Sequence, residues 1–269
     1  MAKFRKIWQA LTILIARPWM LNLILENPMV YRWKIEKKYG KSMGLPQIGL
    51  DQLFPGFEIQ VDPYAFLDGS SWPIDLALLK ALAMKGGVED YLEIGTWRGE
   101  SVANVASVVK NCYTLNLPDE QVANSGNGAL YVASHRFFSR DLPNVTHLFG
   151  DSASFDFEGL GKKFDMIFID GDHHYEAVRR DTARLFSFLK SDDSMIVWHD
   201  YAASPETIRW DVMMGILDGS PPDKRQHLYH VSNTLCALYM KNAPASYRAI
   251  PYELPARKFS LDIRMEKVD

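Results

Sequence analysis

Residues 91–101, Tyr-Leu-Glu-Ile-Gly-Thr-Trp-Arg-Gly-Glu-Ser, run from a buried strand through a glycine turn into a helix. Tyr91, Leu92 and Ile94 supply the apolar strand, and Ser101, Val102, Val105 and Val108 begin a helical repeat. Gly95 and Gly99 suit the turn, because a residue without Cβ tolerates positive φ and lets a ligand approach the backbone. A strand–glycine loop–helix unit places its ligand at the carboxyl end of the strand in an open α/β sheet.

The pattern continues on both sides of this unit. Pro73 fits the first turn of a helix, and Leu76, Leu78, Leu79 and Leu82 carry it to Lys85-Gly86-Gly87. Strands are expected at 90–95, 112–117, 144–149, 164–170, 194–199, 227–231 and 234–240, and helices at 99–110, 174–190 and 205–217. Strands alternating with helices predict an α/β fold, a mostly parallel sheet with helices on both faces. Residues 118–143 are long for a plain connection; Tyr131 to Phe138 is a candidate helix, and Asn124 to Gly128 reads as a mobile segment. Residues 41–72 read as irregular connection, with Phe57 to Val61 a candidate strand. The division expected is a helical N-terminal extension, 1–45, and one domain, 46–269.

Charge narrows the choice of ligand at the glycine loop. A dinucleotide fingerprint starting at Gly95 needs glycines at 97 and 100, where this chain has Trp97 and Glu100. Glu100 stands at the helix start, where a pyrophosphate needs positive potential, and Glu93 adds a second carboxylate. Carboxylates here suit a cationic ligand without phosphate. S-adenosylmethionine (SAM) has that character, with a sulfonium, an ammonium and ribose hydroxyls.

A second motif is Phe164-Asp-Met-Ile-Phe-Ile-Asp-Gly-Asp-His-His-Tyr175. Met166 to Ile169 form a fully apolar run, as a central parallel strand does, and Asp170 closes it. Another apolar run, Met195-Ile-Val-Trp198, ends in His199-Asp200-Tyr201. If the two strands are neighbours, about 4.8 Å apart, Asp170 and Asp200 emerge side by side and could share a divalent cation, with His199 as a third ligand.

These motifs resemble the class I SAM-dependent methyltransferases, whose first motif is an acidic residue, any residue, then Gly-x-Gly-x-Gly; Trp97 replaces the middle glycine. Ile-Asp-Gly-Asp-His-x-Tyr, a helix, then His-Asp-Tyr resembles the small-molecule O-methyltransferase branch, whose members include catechol and macrolide-sugar O-methyltransferases. The resemblance spans roughly residues 70–241. It implies a Rossmann-like, seven-stranded, mostly parallel sheet whose seventh strand is antiparallel, here the hairpin of His227–Val231 with Leu235–Met240.

The resemblance also implies roles. Glu93, Gly95, Thr96, Gly99 and Ser101 would surround the methionine and ribose of SAM, Asp151 and Ser152 the adenine, and Asp170 the cofactor edge. Asp170, His199 and Asp200 fall at metal-ligand positions, for magnesium or another divalent cation. His173 falls where some sugar O-methyltransferases place a catalytic base, with Asp170 beside it. The acidic residue expected after the second strand is Asn116 here. Asp172 reads as a helix N-cap, and Trp72, Trp97 and Trp198 as core. The expected reaction is methyl transfer to a hydroxyl of a small sugar, polyketide or phenolic molecule. Two alternatives stay open. One is a metal-dependent phosphoesterase or hydrolase built from Asp170, Asp172, His173, His174, His199 and Asp200. The other is a non-catalytic SAM-binding protein.

Composition sets the outer limits. The chain has 269 residues, 47% hydrophobic, with a formal net charge of −3, which gives no reason to expect a nucleic-acid partner. Its two cysteines, Cys112 and Cys236, lie in apolar runs and read as buried reduced thiols, compatible with a cytoplasmic location. At the N-terminus Phe4, Ile7, Trp8, Leu11, Leu14 and Ile15 recur at helical spacing beside Lys3, Arg5 and Lys6. Gln9, Thr12 and Arg17 make the segment too polar for a span of about 20 apolar residues. No small-x-small cleavage site follows it. It reads either as a helix packed on the domain or on a second subunit of a homo-oligomer, or as an amphipathic helix on a membrane surface.

Overall fold

The computed structural model describes residues 2–21, 27–124, 128–248 and 254–267. Two helices come first, α1 (Ala2–Ala16) and α2 (Pro28–Tyr39). There follow β1 (Gln47–Ile48), α3 (Leu50–Leu53), α4 (Pro73–Gly86), β2 (Asp90–Ile94) and α5 (Glu100–Ala106). Then come β3 (Asn111–Asn116), α6 (Asp119–Asn124), α7 (Ala129–Ser134), β4 (Val145–Phe149), β5 (Met166–Ile169) and α8 (Tyr175–Leu185). The chain continues with β6 (Met195–Trp198), β7 (Ala202–Ser204), β8 (Thr207–Ile208), α9 (Trp210–Gly219), β9 (Leu228–Val231) and β10 (Ala237–Tyr239).

The main sheet has the order β1-β9-β10-β6-β5-β2-β3-β4. β10 is antiparallel to both β6 and β9, whereas β2, β3, β4, β5 and β6 run parallel. The seven expected strands and their antiparallel hairpin are therefore present, in a Rossmann-like arrangement. An eighth strand, β1, joins the edge in parallel with β9; its two residues lie in a stretch read as irregular, and a strand this short carries no periodic signal.

Side-chain alternation across the pleat divides the interior in two. Leu92, Ile94, Ile167, Ile169, Ile196 and Trp198 pack with Val178 and Leu185 of α8 and Val212, Ile216 and Leu217 of α9. Tyr91, Met166, Phe168, Met195 and Val197 pack on the other side with Leu78, Leu79 and Leu82 of α4 and Val102 and Val105 of α5. At about 1.5–3 kcal/mol for each fully buried large apolar side chain, these two cores anchor the central strands. Cys112 and Cys236 are buried free thiols, and burial pushes the Cys112 thiol up to about 12.

Several expected boundaries move. Phe57–Val61 forms no strand. The helix expected from 205 begins at Trp210, because residues 202–208 fold into the β7–β8 hairpin, after which the Arg209 amide donates to the Tyr201 carbonyl at 2.9 Å. The 99–110 helix ends at Ala106, where Val108 and Val109 both turn their amides onto the Val105 carbonyl. Within 118–143 the helices are α6 and α7, and residues 135–141 are turns. Residues 125–127 of the expected mobile segment, and 22–25 of the N-terminal run, lie outside the described residues. Among the described residues no helix is long and apolar enough to cross a membrane.

Candidate active site

Hydrogen bonds continue past the ends of the strands and align their loops along one edge. The Gly95 amide donates to the Leu115 carbonyl at 2.9 Å, Asp170 to Ile94 at 2.8 Å, and His199 to Ile169 at 3.0 Å. The glycine loop, Asp170 and His199 thus leave β2, β5 and β6 side by side. Gly95 has φ +94°, and a Cβ there would stand 2.2 Å from the Asp170 carbonyl oxygen; Gly99 has φ +80°, and a Cβ there would stand 2.2 Å from Ser139 Oγ. Neither position has room for a side chain: glycine at 95 lets the loop approach Asp170, and glycine at 99 lets it approach Ser139.

Trp97, in place of the expected middle glycine, adopts φ +44°. Its indole packs against Tyr131 and His135 at centroid distances of 4.5 and 5.1 Å, beneath the Arg98 guanidinium at 4.8 Å. The Arg136 amide donates to the Trp97 carbonyl at 2.7 Å and Phe138 to Arg98 at 2.9 Å. The long 118–143 connection is therefore fastened to the glycine loop. Of the three tryptophans expected in the core, Trp198 is buried, Trp97 half-buried and Trp72 exposed. Trp72 precedes α4 and contributes its backbone to the helix start rather than its ring to the interior.

Beneath this loop Glu93 is fully buried. It accepts the Tyr91 hydroxyl at 2.8 Å and the Thr114 hydroxyl at 3.1 Å, and Thr114 in turn meets Thr96 at 2.6 Å. Burial pushes the Glu93 carboxyl up to about 8, with nearby Asp170 adding to the rise, while bonds from Tyr91, Ser101 and Thr114 work against it. Glu93, Thr96 and Ser101 are thus held in a buried network under the loop. Asn116, at the end of β3, donates to His135 Nδ1 at 2.7 Å when the ring is unprotonated there. Ser152 donates to the buried Asp181 at 3.0 Å, and Asp151 caps its own turn by accepting the Ala153 amide at 2.8 Å. Arg184 of α8 braces that turn from below, donating to the carbonyls of Ser152, Ala153 and Phe155 at 2.6–3.0 Å.

The charged centre lies one strand further along. His199 Nδ1 is 3.1 Å from Asp170 Oδ1 and 3.6 Å from Asp200 Oδ2, and its Nε2 is 3.3 Å from Asp75 Oδ2. Burial opposes a charged imidazole here, but Asp170, Asp200 and Asp75 outweigh it and hold the His199 pKa well above the ordinary histidine value. Asp200, at φ +56°, also meets Arg209 at 3.2 Å and His173 Nδ1 at 3.7 Å. Burial works against its ionisation, yet His199, Arg209 and His173 keep its pKa below the usual carboxylate range. Ser71 donates to the second Asp170 oxygen at 3.4 Å. Ile169 to His173, Trp198 to Asp200, Val178 and Val212 line a small cleft here.

Asp170, His199 and Asp200 each offer one ligand atom, and these atoms lie within 4.8 Å of one another. Of the other three members of the six-residue hydrolase cluster, only His173 reaches this centre, through Asp200. Asp172 and His174 pair with each other at 2.5 Å on the surface, and His173 stacks on His174. Asp172 is also not the N-cap of α8. That position is His174, and Asp172 accepts its amide from two residues upstream at 2.9 Å.

Asp75 was not singled out in the sequence, although it organises this centre. It is fully buried at the start of α4, accepts the Leu235 amide at 2.8 Å and the Trp72 amide at 3.2 Å, and takes His199 on its other side. The available signal was an acidic residue in the first turn after Pro73, which by itself marks only a helix start.

Residues 92–201 match the family model described as a methyltransferase domain. That stretch runs from β2 to just beyond β6 and contains the glycine loop, Asp170, His173, His199 and Asp200. No curated protein matches the chain. Solved structures similar to it include an O-methyltransferase from Bacillus cereus in complex with SAH (17% identity over 65% of this chain and 84% of that one, TM-score 0.43). Another is TomG, an O-methyltransferase from Streptomyces achromogenes involved in tomaymycin synthesis, in complex with SAM (17% identity over 64% of this chain and 82% of that one, TM-score 0.45).

Proposed function

We propose that the chain is a SAM-dependent O-methyltransferase acting on a small hydroxylated acceptor. The observation that carries this reading is the alignment, on one edge of the sheet, of the glycine loop with the Asp170–His199–Asp200 centre and the half-exposed His173. In this reading Gly95 and Gly99 admit the methionine end of SAM, the buried Glu93–Thr114–Thr96 network holds the loop in shape, and Asp151 and Ser152 face the adenine.

The transfer is a direct displacement. The acceptor oxygen attacks the methyl carbon, the carbon–sulfur bond breaks, and the electron pair stays on sulfur, leaving S-adenosylhomocysteine and a methyl ether. The hydroxyl proton goes to the imidazole of His173, which Asp200 orients. Alignment of oxygen, carbon and sulfur supplies most of the acceleration, and proton removal by a placed base is worth roughly 10²–10⁴-fold.

The Asp170, His199 and Asp200 donors fit a divalent cation. In that state His199 would present Nδ1 and donate Nε2–H to Asp75, the arrangement that fixes the tautomer of a metal-bound imidazole. When bound, such an ion lowers the pKa of a coordinated hydroxyl and orients it. Without one, His199 is an imidazolium clamped by its three carboxylates.

Calorimetric titration with S-adenosylhomocysteine, with and without magnesium and after chelation, tests the reading. Binding near one equivalent is expected. Absence of binding under every condition would defeat the methyltransferase reading; binding without methyl transfer across a broad acceptor panel would leave a SAM-binding protein instead.

A further inference from the structure

The first helix stands outside everything described so far. On α1 the apolar residues Phe4, Ile7, Trp8, Leu11, Leu14 and Ile15 fall on one face, Lys3 borders it, and Arg5, Lys6, Gln9 and Thr12 occupy the other together with Ile13; Arg17 follows the helix end. In a globular protein such an apolar face is buried against the core. Here it is open to solvent: Phe4 is 76% exposed, Trp8 73% and Ile15 79%, and Trp19 and Leu21 just beyond the helix are exposed too. The hydrophobic cores contain no residue of this helix.

Charge decides what this face fits. From Ala2 to Leu21 the basic residues are Lys3, Arg5, Lys6 and Arg17, and there is no Asp or Glu. Pairing with a second copy through the apolar face would leave all four cations facing water with no anionic partner. A surface rich in anionic headgroups neutralises all four and receives the apolar face at the same time. At 1.5 Å per residue the helix is about 22 Å long, too short for a hydrocarbon core of about 30 Å. It can lie in the interface, and the tryptophans at positions 8 and 19 are the side chains that favour the headgroup boundary.

We infer that α1 binds the surface of anionic lipid bilayers, lying in the headgroup region with Phe4, Ile7, Trp8, Leu11 and Ile15 toward the acyl chains. The basic residues hold it by charge and the apolar face by burial, so the attachment is reversible and salt-sensitive.

Flotation of the full-length chain with phosphatidylcholine vesicles, with and without phosphatidylglycerol, tests this. The chain is expected to float with the anionic vesicles at low salt, to be released as salt rises, and to float poorly with phosphatidylcholine alone. W8E/L11E should lose at least tenfold in vesicle partitioning. K3Q and K6Q should each lose about fivefold, the factor for one basic residue at an anionic surface. Thermal unfolding and S-adenosylhomocysteine binding of the variants should match the parent, which separates loss of docking from loss of fold. Three results would overturn the inference: no flotation with anionic vesicles at low salt, equal flotation with neutral vesicles, or a dimer without flotation that W8E/L11E converts to monomer.

Discussion

Asp75 Oδ2 lies 3.3 Å from His199 Nε2, although 124 positions separate them in the chain. Because Asp170 takes the opposite ring nitrogen at 3.1 Å, the imidazole is clamped from both sides. The folded pKa of His199 is raised well above 6.5, so its stabilisation is fully present below about pH 6.5 and is lost as pH rises through the folded value. Asp75→Asn keeps the shape and removes one charge. Urea unfolding of chelated protein should show a loss of about 1–3 kcal/mol at pH 6 and a smaller loss at pH values above the folded pKa. An equal loss at both would remove His199 from the explanation.

Glu93 carries the same sign. Its carboxyl is raised from 4.5 to about 8 by burial, so between those values the folded state keeps a proton that the unfolded chain releases. Stability therefore falls as pH climbs across that window. Glu93→Gln should flatten the fall, with a relative gain on the order of a few kcal/mol at pH 8.5 over pH 5. Denaturation midpoints of the two proteins across this range measure it.

Gly95→Ala brings a Cβ to 2.2 Å from the Asp170 carbonyl at a backbone φ of +94°. The strain and the displaced backbone together should cost about 2–4 kcal/mol. Calorimetric affinity for S-adenosylhomocysteine should drop with it. An unchanged melting temperature would mean that the loop relaxes freely.

His173→Ala should lower turnover by roughly a hundredfold or more while S-adenosylhomocysteine affinity stays within a factor of about two, because the half-exposed ring touches Asp200 and His174 rather than the glycine loop. Single-turnover rates with any accepted hydroxylated substrate provide the comparison. Equal rates would rule it out as the base.

Most of the sheet was legible because its central strands are unbroken apolar runs. Met166–Ile169 and Met195–Trp198 are buried at every position, a pattern that short solvent-facing strands lack. Asp170 was legible because it follows directly on such a run, and His199 and Asp200 because together they close the other. Asp75 was not, since its meaning lies in Leu235 and His199, which no local spacing connects to it. The β7–β8 hairpin escaped for a similar reason: Ala202-Ala-Ser204 has no strand signature and forms its pairs from neighbourhood alone. His135 became relevant only when the 118–143 connection folded back and carried it to Asn116.

The charges of this chain are sorted rather than mixed. Residues 1–41 hold nine Lys and Arg against only Glu26 and Glu36, within a molecule whose net charge is −3, so the remaining length is distinctly acidic. The protein is electrically bipolar. It should be retained by cation-exchange and anion-exchange resins alike at neutral pH, and its pI of about 6.2 describes neither end. An anionic surface that attracts the first segment repels the acidic remainder, so the same polarity that brings the molecule to such a surface keeps its catalytic body from spreading on it.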